Sequence, residues 1–332
     1  MTLATLERVV LGNGMPRFSA RQIASWLYQK RVTSIDEMTD ISKKSRALLN
    51  EKYQVGRTLP VAEAVSVDGT VKYLYPVHNE NRVETVYIPD RDRATLCVSS
   101  QAGCRMNCTF CMTGRMGFHG NLTAGEIVNQ ILSLPQFDSL TNIVYMGMGE
   151  PMDNYTCVLD SLKILTEKWG LAWSPRRITV STIGKLDNLR LLLAETEVHI
   201  AISVHSPFNE ERCGLMPVEK AYPLQSVVEL LSRYDFTHQR RCSLEYIMWK
   251  GINSDQKHAA ALVQLLKHIP GARVNLIRFH AFPEAPQLQP VPHREMERFR
   301  DYLNSNGITA TIRASRGEDI EAACGMLATK KD

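Results

Sequence analysis

The sequence predicts an α/β protein: a parallel sheet wrapped by helices, a barrel or partial barrel, with a small helical accessory domain in front of it. Two observations carry the prediction. From about residue 94, short β-branched or apolar runs alternate with amphipathic helical stretches, and the net charge of +4 gathers in the first 55 residues. At 332 residues and 44% hydrophobic, the chain can bury a full core with room for one large domain and a small one.

Residues 1–55 hold nine Lys/Arg against five acids, so the rest of the chain sums to zero. Ser19 is expected to cap a helix SARQIASWLYQK with Ile23, Trp26 and Leu27 on one face. Ser34 to Glu37 is a capping box opening a second helix, and Ser42 caps a third through Leu48 and Leu49. A basic helical module suits nucleic acid, and charge alone leaves an ordinary solvated surface equally open. MTLATLERVVLGNG lacks a basic leader with a long apolar run, and no stretch approaches the roughly 18 apolar residues of a membrane span. The expected location is cytoplasmic, away from membranes. Next, Asp68-Gly69 turns a hairpin between VAEAVSV and TVKYLYPV, a short antiparallel connection. Glu84, in NRVETVYIP, reads on its own as an exposed strand charge.

The strand-like runs are ATLCVSS (94–100), NIVYMGMG (142–149), RITVSTIG (177–184), VHIAISVHS (198–206), CSLEYIMW (242–249), RVNLIRFH (273–280) and ITATIRA (308–314). Between them lie TAGEIVNQILSL, VLDSLKILTEKW, LDNLRLLLAE, LQSVVELLSRY, DQKHAAALVQLLKHI and HREMERFRDYLNSN. Six βα units and a closing strand result, and in such a fold chemistry gathers at the C-terminal ends of the strands. No internal repeat or low-complexity tract interrupts them.

Just after the first strand, GCRMNCTFCMTG sets Cys104, Cys108 and Cys111 within eight positions. Eight cysteines in the whole chain are too sparse for a disulfide scaffold, and clustered thiols in a reducing compartment point to metal or catalysis. Structural zinc wants four ligands, usually as paired Cys-x-x-Cys arms, and one arm is present. A four-iron, four-sulfur cluster held by three thiolates keeps one iron free for a small molecule. Cys-x3-Cys-x2-Cys after a first barrel strand, with Phe110 before the third cysteine, resembles the signature of the radical S-adenosylmethionine superfamily. That resemblance implies an open iron chelating S-adenosylmethionine, with one electron from the cluster splitting the sulfonium to a 5′-deoxyadenosyl radical. It also implies that Gly149 and Glu150 of GMGEP hold the methionine ammonium, and that Ser181, Ser203, Val204 and His205 contact the cofactor. Taken alone, Glu150 is a loop carboxylate and His205 a satisfied polar residue at a barrel rim.

Cys97 on the first strand and Cys324 in RGEDIEAACGML, each alone a small buried hydrophobe, complete a finer match. With FSARQIASWLYQK, VTSIDEMTDISK and GFHGNLTAGEIVNQI they resemble the RlmN/Cfr family of radical enzymes, from about residue 16 to the C-terminus and closer to the RlmN branch. The resemblance implies a partial (β/α)6 radical S-adenosylmethionine barrel over 90–319. An RNA-binding helical domain at 1–55, a β-hairpin connection at 56–89 and a C-terminal segment, 320–332, accompany it. It implies methylation of adenine carbon 2 in 23S rRNA and, in certain tRNAs, of the adenosine 3′ to the anticodon. One 4Fe-4S cluster, two S-adenosylmethionine per turnover and an electron donor such as flavodoxin or ferredoxin belong to it, acting on a monomer.

By that similarity Cys324 takes a methyl group from one S-adenosylmethionine, and the radical from a second removes a hydrogen from the S-methyl group. The carbon adds to the electron-poor adenine ring, Glu84 accepts a proton, and Cys97 resolves the tether through a transient disulfide with Cys324. His280 stands where the family usually has asparagine, so imidazole would make that cofactor contact. Cys157, Cys213 and Cys242 carry no family role and are assigned to packing or surface. Carbon-8 methylation, as in the Cfr branch, shares every residue named. A metal-stabilised RNA-binding module is the third reading, and it has no use for a transient thiol pair.

Overall fold

A computed structural model describes residues 1–236 and 240–328; residues 329–332 of the expected C-terminal segment lie outside the described residues. The first helix, α1 (Leu3–Gly12), capped by the Thr2 hydroxyl on the Thr5 amide, is absent from the sequence reading. Helix α2 (Ser19–Ala24) starts from Phe18, with no side-chain cap, because Ser19 is buried within the helix; the expected Ser19 cap is corrected. Its continuation, Ser25–Gln29, widens into a π-helical turn closed by the Lys30 amide on the Ser25 carbonyl at 2.9 Å. Ser34 and Glu37 do form the capping box, but around one 3₁₀ turn (Ile35–Glu37) that stops where Met38 leaves helical geometry. Ser42 caps α3 (Lys43–Asn50) as expected, through the Ser45 amide.

The hairpin turn at Asp68-Gly69 joins β1 (Ala62–Val65) to β2 (Val71–Pro76), with the Asp68 carboxylate accepting from the Thr70 amide at 2.9 Å. A third strand, β3 (Arg82–Asp90), extends this hairpin and pairs antiparallel with β4 (Arg93–Cys97), so the connection belongs to the main sheet. After a two-stranded hairpin, β5 (Gln101–Gly103) and β6 (Phe118–Asn121) with α4 (Met112–Arg115) between them, the alternation proceeds as expected. Its elements are α5 (Ala124–Leu132), β7 (Asn142–Tyr145), α6 (Tyr155–Thr166), β8 (Ile178–Thr182), α7 (Leu186–Glu195) and β9 (His199–Ser203). Then come α8 (Asn209–Leu215), α9 (Leu224–Leu231), β10 (Cys242–Met248), α10 (Gln256–Leu266), β11 (Arg273–Arg278), α11 (His293–Ser305) and β12 (Ala310–Ile312).

All ten strands outside the small hairpin form one sheet, ordered β1-β2-β3-β4-β7-β8-β9-β10-β11-β12. It is antiparallel up to β4 and parallel from there on, and β12 pairs only with β11 among the described residues, so the barrel is partial. One face of the parallel strands is apolar and packs under the helices, with Ile143, Ile178, Val180, Ile200, Leu244 and Leu276 buried there, while the face turned into the barrel carries polar residues such as Thr179, Ser181, Ser203, Ser243 and Asn275. Leu6, Val10, Ile23, Tyr28 and Ile35 share one apolar core with Val128, Leu132 and Ile164, so the N-terminal helices pack on α5 and α6. No helix among the described residues is long and apolar enough to cross a membrane.

Candidate active site

The loop that follows β4 folds under the C-terminal ends of the strands. The Cys104 amide donates to the Gly117 carbonyl at 2.9 Å, Thr109 donates to Leu215 at 3.0 Å, and Cys111 occupies the N-cap position of α4. Phe110 anchors the loop by packing edge-on against His205 with centroids 4.7 Å apart and tilted against Trp249 at 5.2 Å. Cys104, Cys108 and Cys111 thereby line one cavity. Burial pushes all three thiols up, Cys104 to about 12, and their mutual repulsion adds to it. Among the described residues no three His, Cys, Asp or Glu side chains converge as the ligands of a single ion do. Each thiolate of a four-iron cluster binds its own iron, so three cysteines lining one cavity fit that group without a common point.

Across the cavity, Gly149 leads into Glu150. Gly149 has φ +96°, and a Cβ there would lie 2.5 Å from the Gln101 Cβ, so no other residue fits this turn. The Glu150 amide donates to Gln101 Oε1 at 2.9 Å. Its carboxylate accepts from Thr182 Oγ1 (2.5 Å), the Ile183 amide (3.0 Å) and the Met152 amide (3.0 Å). Burial nevertheless raises its carboxyl to about 7, so a cation beside it would meet a strong demand for positive charge. Ser181, Ser203 and His205 complete this wall. His205 accepts the Ile247 amide at Nδ1 (3.1 Å), and burial, with Arg212 beside it, lowers the imidazole to about 3. It is therefore neutral with its proton on Nε2. Val204 differs from its neighbours: its side chain lies in the core with Val227 and Leu244, and its carbonyl accepts from Arg212.

Cys97, at the end of β4, and Cys324, in the segment after β12, line the same cavity. Cys97 is buried and Cys324 exposed; burial and the neighbouring Cys324 push the Cys97 thiol up to about 12, against the pull of Arg313. The C-terminal segment is tied to the cysteine loop by the Met112 amide on the Gly325 carbonyl (2.8 Å) and by Thr113 Oγ1 on the Leu327 carbonyl (2.6 Å). Gly325 is left-handed, φ +85°, where a Cβ would come within 3.1 Å of the Phe110 carbonyl oxygen.

Glu84 corrects the reading of an exposed strand charge: it is 7% exposed and paired with Lys72 at 2.9 Å, and it accepts the Ala328 amide at 2.9 Å. Burial raises its carboxyl, although Lys72 opposes the shift. It lies on the face of β3 that carries Val86 and Ile88 into the cysteine cavity, but it faces a separate cavity. Leu327 stands on one side of this divide and Ala328 on the other. His280 likewise lines a neighbouring cavity, one that Cys324 also walls, with Nε2 bonded to Ser315 Oγ. Cys242 is buried on β10, while Cys157 and Cys213 are half-buried on helices.

Arg313 and Glu245 are missing from the sequence reading, yet both line the cavity; they stand 3.8 Å apart, and Arg313 also donates to Met146 Sδ at 3.3 Å. Arg313 follows the last strand directly, so the rule that chemistry sits at strand ends could have found it. Arg212 is wholly buried, paired with Glu219, and donates to the carbonyls of Ile183 (3.2 Å), Ser203 (2.9 Å) and Val204 (3.1 Å). Nothing in its local sequence marks it, because its acceptors come from two other strands.

Residues 98–263 match the Radical SAM superfamily, and residues 1–55 match the ribosomal RNA large subunit methyltransferase N-terminal domain. The chain is 58% identical over 331 residues to a probable dual-specificity RNA methyltransferase RlmN of Bacteroides thetaiotaomicron, covering 100% of this chain and 95% of the relative. It is 44% identical over 320 residues to the dual-specificity RNA methyltransferase RlmN of Halorhodospira halophila, covering 95% and 88%. The crystal structure of a radical SAM methyltransferase from Sphaerobacter thermophilus superposes with a TM-score of 0.90 at 39% identity, covering 98% of this chain and 97% of that one.

Proposed function

The chain belongs to the RlmN family of radical S-adenosylmethionine RNA methyltransferases, and from that premise we propose that it methylates carbon 2 of an adenosine in 23S rRNA and of the adenosine 3′ to the anticodon in certain tRNAs. One observation carries the reading: a second pair of thiols, Cys97 and Cys324, shares a cavity with the three-cysteine loop and Glu150. A cofactor-cleaving site alone would need only the loop.

Cys104, Cys108 and Cys111 would hold the 4Fe-4S cluster, which supplies one-electron cleavage of S-adenosylmethionine when bound. Glu150 binds the cofactor's ammonium, with the Gly149 backbone beside it, and Ser181, Ser203 and the Nε2 proton of His205 offer polar contacts to the rest. Val204 contributes backbone only, and His280 acts from the adjoining cavity. Cys324, the exposed thiol, attacks the methyl carbon of one S-adenosylmethionine, forming a thioether as the sulfonium carbon–sulfur bond breaks. A second S-adenosylmethionine provides the hydrogen-abstracting equivalent that turns this methyl group into the carbon that adds to adenine. Glu84, raised by burial, takes the ring proton once the Leu327–Ala328 stretch that divides its cavity from the thiol pair moves aside and frees its carboxylate of the Ala328 amide, with Lys72 still beside it. The electron left over from radical addition would pass back to the cluster; Cys97, as thiolate, then bonds to Cys324 sulfur as the sulfur–carbon tether breaks, the freed carbon takes up a proton to complete the methyl group, and a thiol reductant returns the pair to the reduced state.

A flavodoxin or ferredoxin supplies the electrons to this cytoplasmic monomer, and the basic helices of residues 1–55 contribute RNA affinity. The test is mass spectrometry of nuclease-digested rRNA and tRNA after incubation with anaerobically reconstituted protein, S-adenosylmethionine and reductant. The expected product is 2-methyladenosine in both RNAs; 8-methyladenosine would favour the carbon-8 reading, which the same residues also permit.

A further inference from the structure

The N-terminal ends of the barrel strands, opposite the cysteine loop, surround a cavity of about 540 Å³, within the roughly 300–1,000 Å³ range of ligand pockets. Its rim carries Arg93 at the start of β4, Arg176 before β8, Arg241 before β10 and Arg273 at the start of β11. All four are exposed, and none has an acidic partner among the described residues. The acid in this wall, Glu245, accepts from Ser243 (2.8 Å) and Asn275 (2.7 Å) on Oε1, and its Oε2 faces Arg313 at 3.8 Å, so its charge is countered from inside the barrel. His199 stands among the arginines, accepting the Arg241 amide at 3.0 Å, and burial together with Arg241, Arg176, Arg240 and Arg273 lowers it to about 4. A ring of unpaired guanidinium groups around a neutral imidazole is a field built for anions.

The cavity is not closed off from the chemistry. Arg93, Asn142, Val144, Thr179 and Arg313 also wall the cavity that contains Cys324, and Arg313 reaches the cysteine cavity as well. A passage therefore runs from the arginine ring to Cys324. At the other end the strand termini are covered by the cysteine loop and the C-terminal segment bonded to it. A base stacked inside a helix cannot enter the barrel cavities that Cys324 lines, so a nucleotide must be splayed out to enter, and its flanking phosphates stay at the rim.

Resting on the RNA-methylation reading above, we propose that this N-terminal mouth is the RNA docking surface. The target base enters it toward Cys324 while Arg93, Arg176, Arg241 and Arg273 hold the phosphates on either side. Cofactor and RNA then approach the thiol pair from opposite ends of the barrel.

The test uses the cluster-loaded full chain and a fluorescein-labelled RNA hairpin with an adenosine in its loop, titrated across a salt series. Arg176→Gln, Arg241→Gln and Arg273→Gln together should flatten the slope of log affinity against log salt by about 2, at roughly 0.7 per phosphate contact, and weaken binding about 50-fold at 0.15 M salt. Iron content and S-adenosylmethionine binding should not change, which confirms that the variant folds. Lysine at the same three positions should keep the wild-type slope. A glutamine variant that binds like wild type overturns the proposal, as does a lysine variant that loses as much as the glutamine one. If wild-type protein itself shows no salt-dependent binding to the hairpin, the RNA reading fails, and the docking surface with it.

Discussion

Glu219→Ala isolates the force that holds the strand ends under the cofactor wall. Arg212 and Glu219 are 0% and 2% exposed, and the carboxylate also accepts from Asn209 Nδ2 (3.0 Å) and the Leu224 amide (3.1 Å). Burial lowers Arg212 to about 10, so it remains charged at neutral pH. Removing the acid strands a buried cation and an amide together, a loss of about 3–5 kcal/mol. For 332 residues, an unfolding entropy of about 2.1 cal/mol/K per residue gives about 0.7 kcal/mol per degree, so the midpoint should fall by about 4–7 °C. Differential scanning fluorimetry of cluster-free protein reads this. Glu7→Ala provides the contrast, since the Arg17–Glu7 pair has a normal 2.7 Å geometry but lies in solvent and should leave the midpoint in place. Because Arg212 bonds the Ser203 and Val204 carbonyls, the Glu219 variant should also bind S-adenosylmethionine more weakly once loaded. Equal, small shifts in both variants would refute the claim that burial gives the Arg212 pair its weight.

The two thiols outside the loop should fail in different ways. Cys324→Ala should leave both protein and RNA without a methyl group. Cys97→Ala should trap RNA covalently on Cys324, seen as a shifted band that nuclease removes; many turnovers by Cys97→Ala would end the tether mechanism. Glu150, raised to about 7 from an ordinary 4.5, must be ionised to bind an ammonium. Affinity for S-adenosylmethionine should therefore fall about tenfold from pH 8 to pH 6, where roughly a tenth of the carboxylate remains charged. Isothermal titration at both pH values checks this, and a flat profile would contradict the assignment.

Local patterns in the chain determine its βα alternation, because the period of apolar residues is set by each element's own geometry and the caps at Ser42 and Thr123 lie within a turn of the amides they satisfy. The three-cysteine loop is legible for the same reason: its ligands are neighbours along the chain. Even Cys97 and Cys324 were legible only through a family resemblance, since nothing in either neighbourhood points to the other. Tertiary structure alone decides what depends on several distant segments at once. Glu84 looks like a surface charge in NRVETVYIP and becomes a buried one because β2 brings Lys72 and the C-terminal segment brings the Ala328 amide. Ser19 has the chemistry of a cap but is drawn into the helical core, and Arg212 acquires its acceptors where the chain leaves β8 and β9. Arg93, Arg176, Arg241 and Arg273 are scattered singly through the sequence. They become one cationic mouth only because parallel strands start side by side, bringing distant residues of like charge onto the same rim.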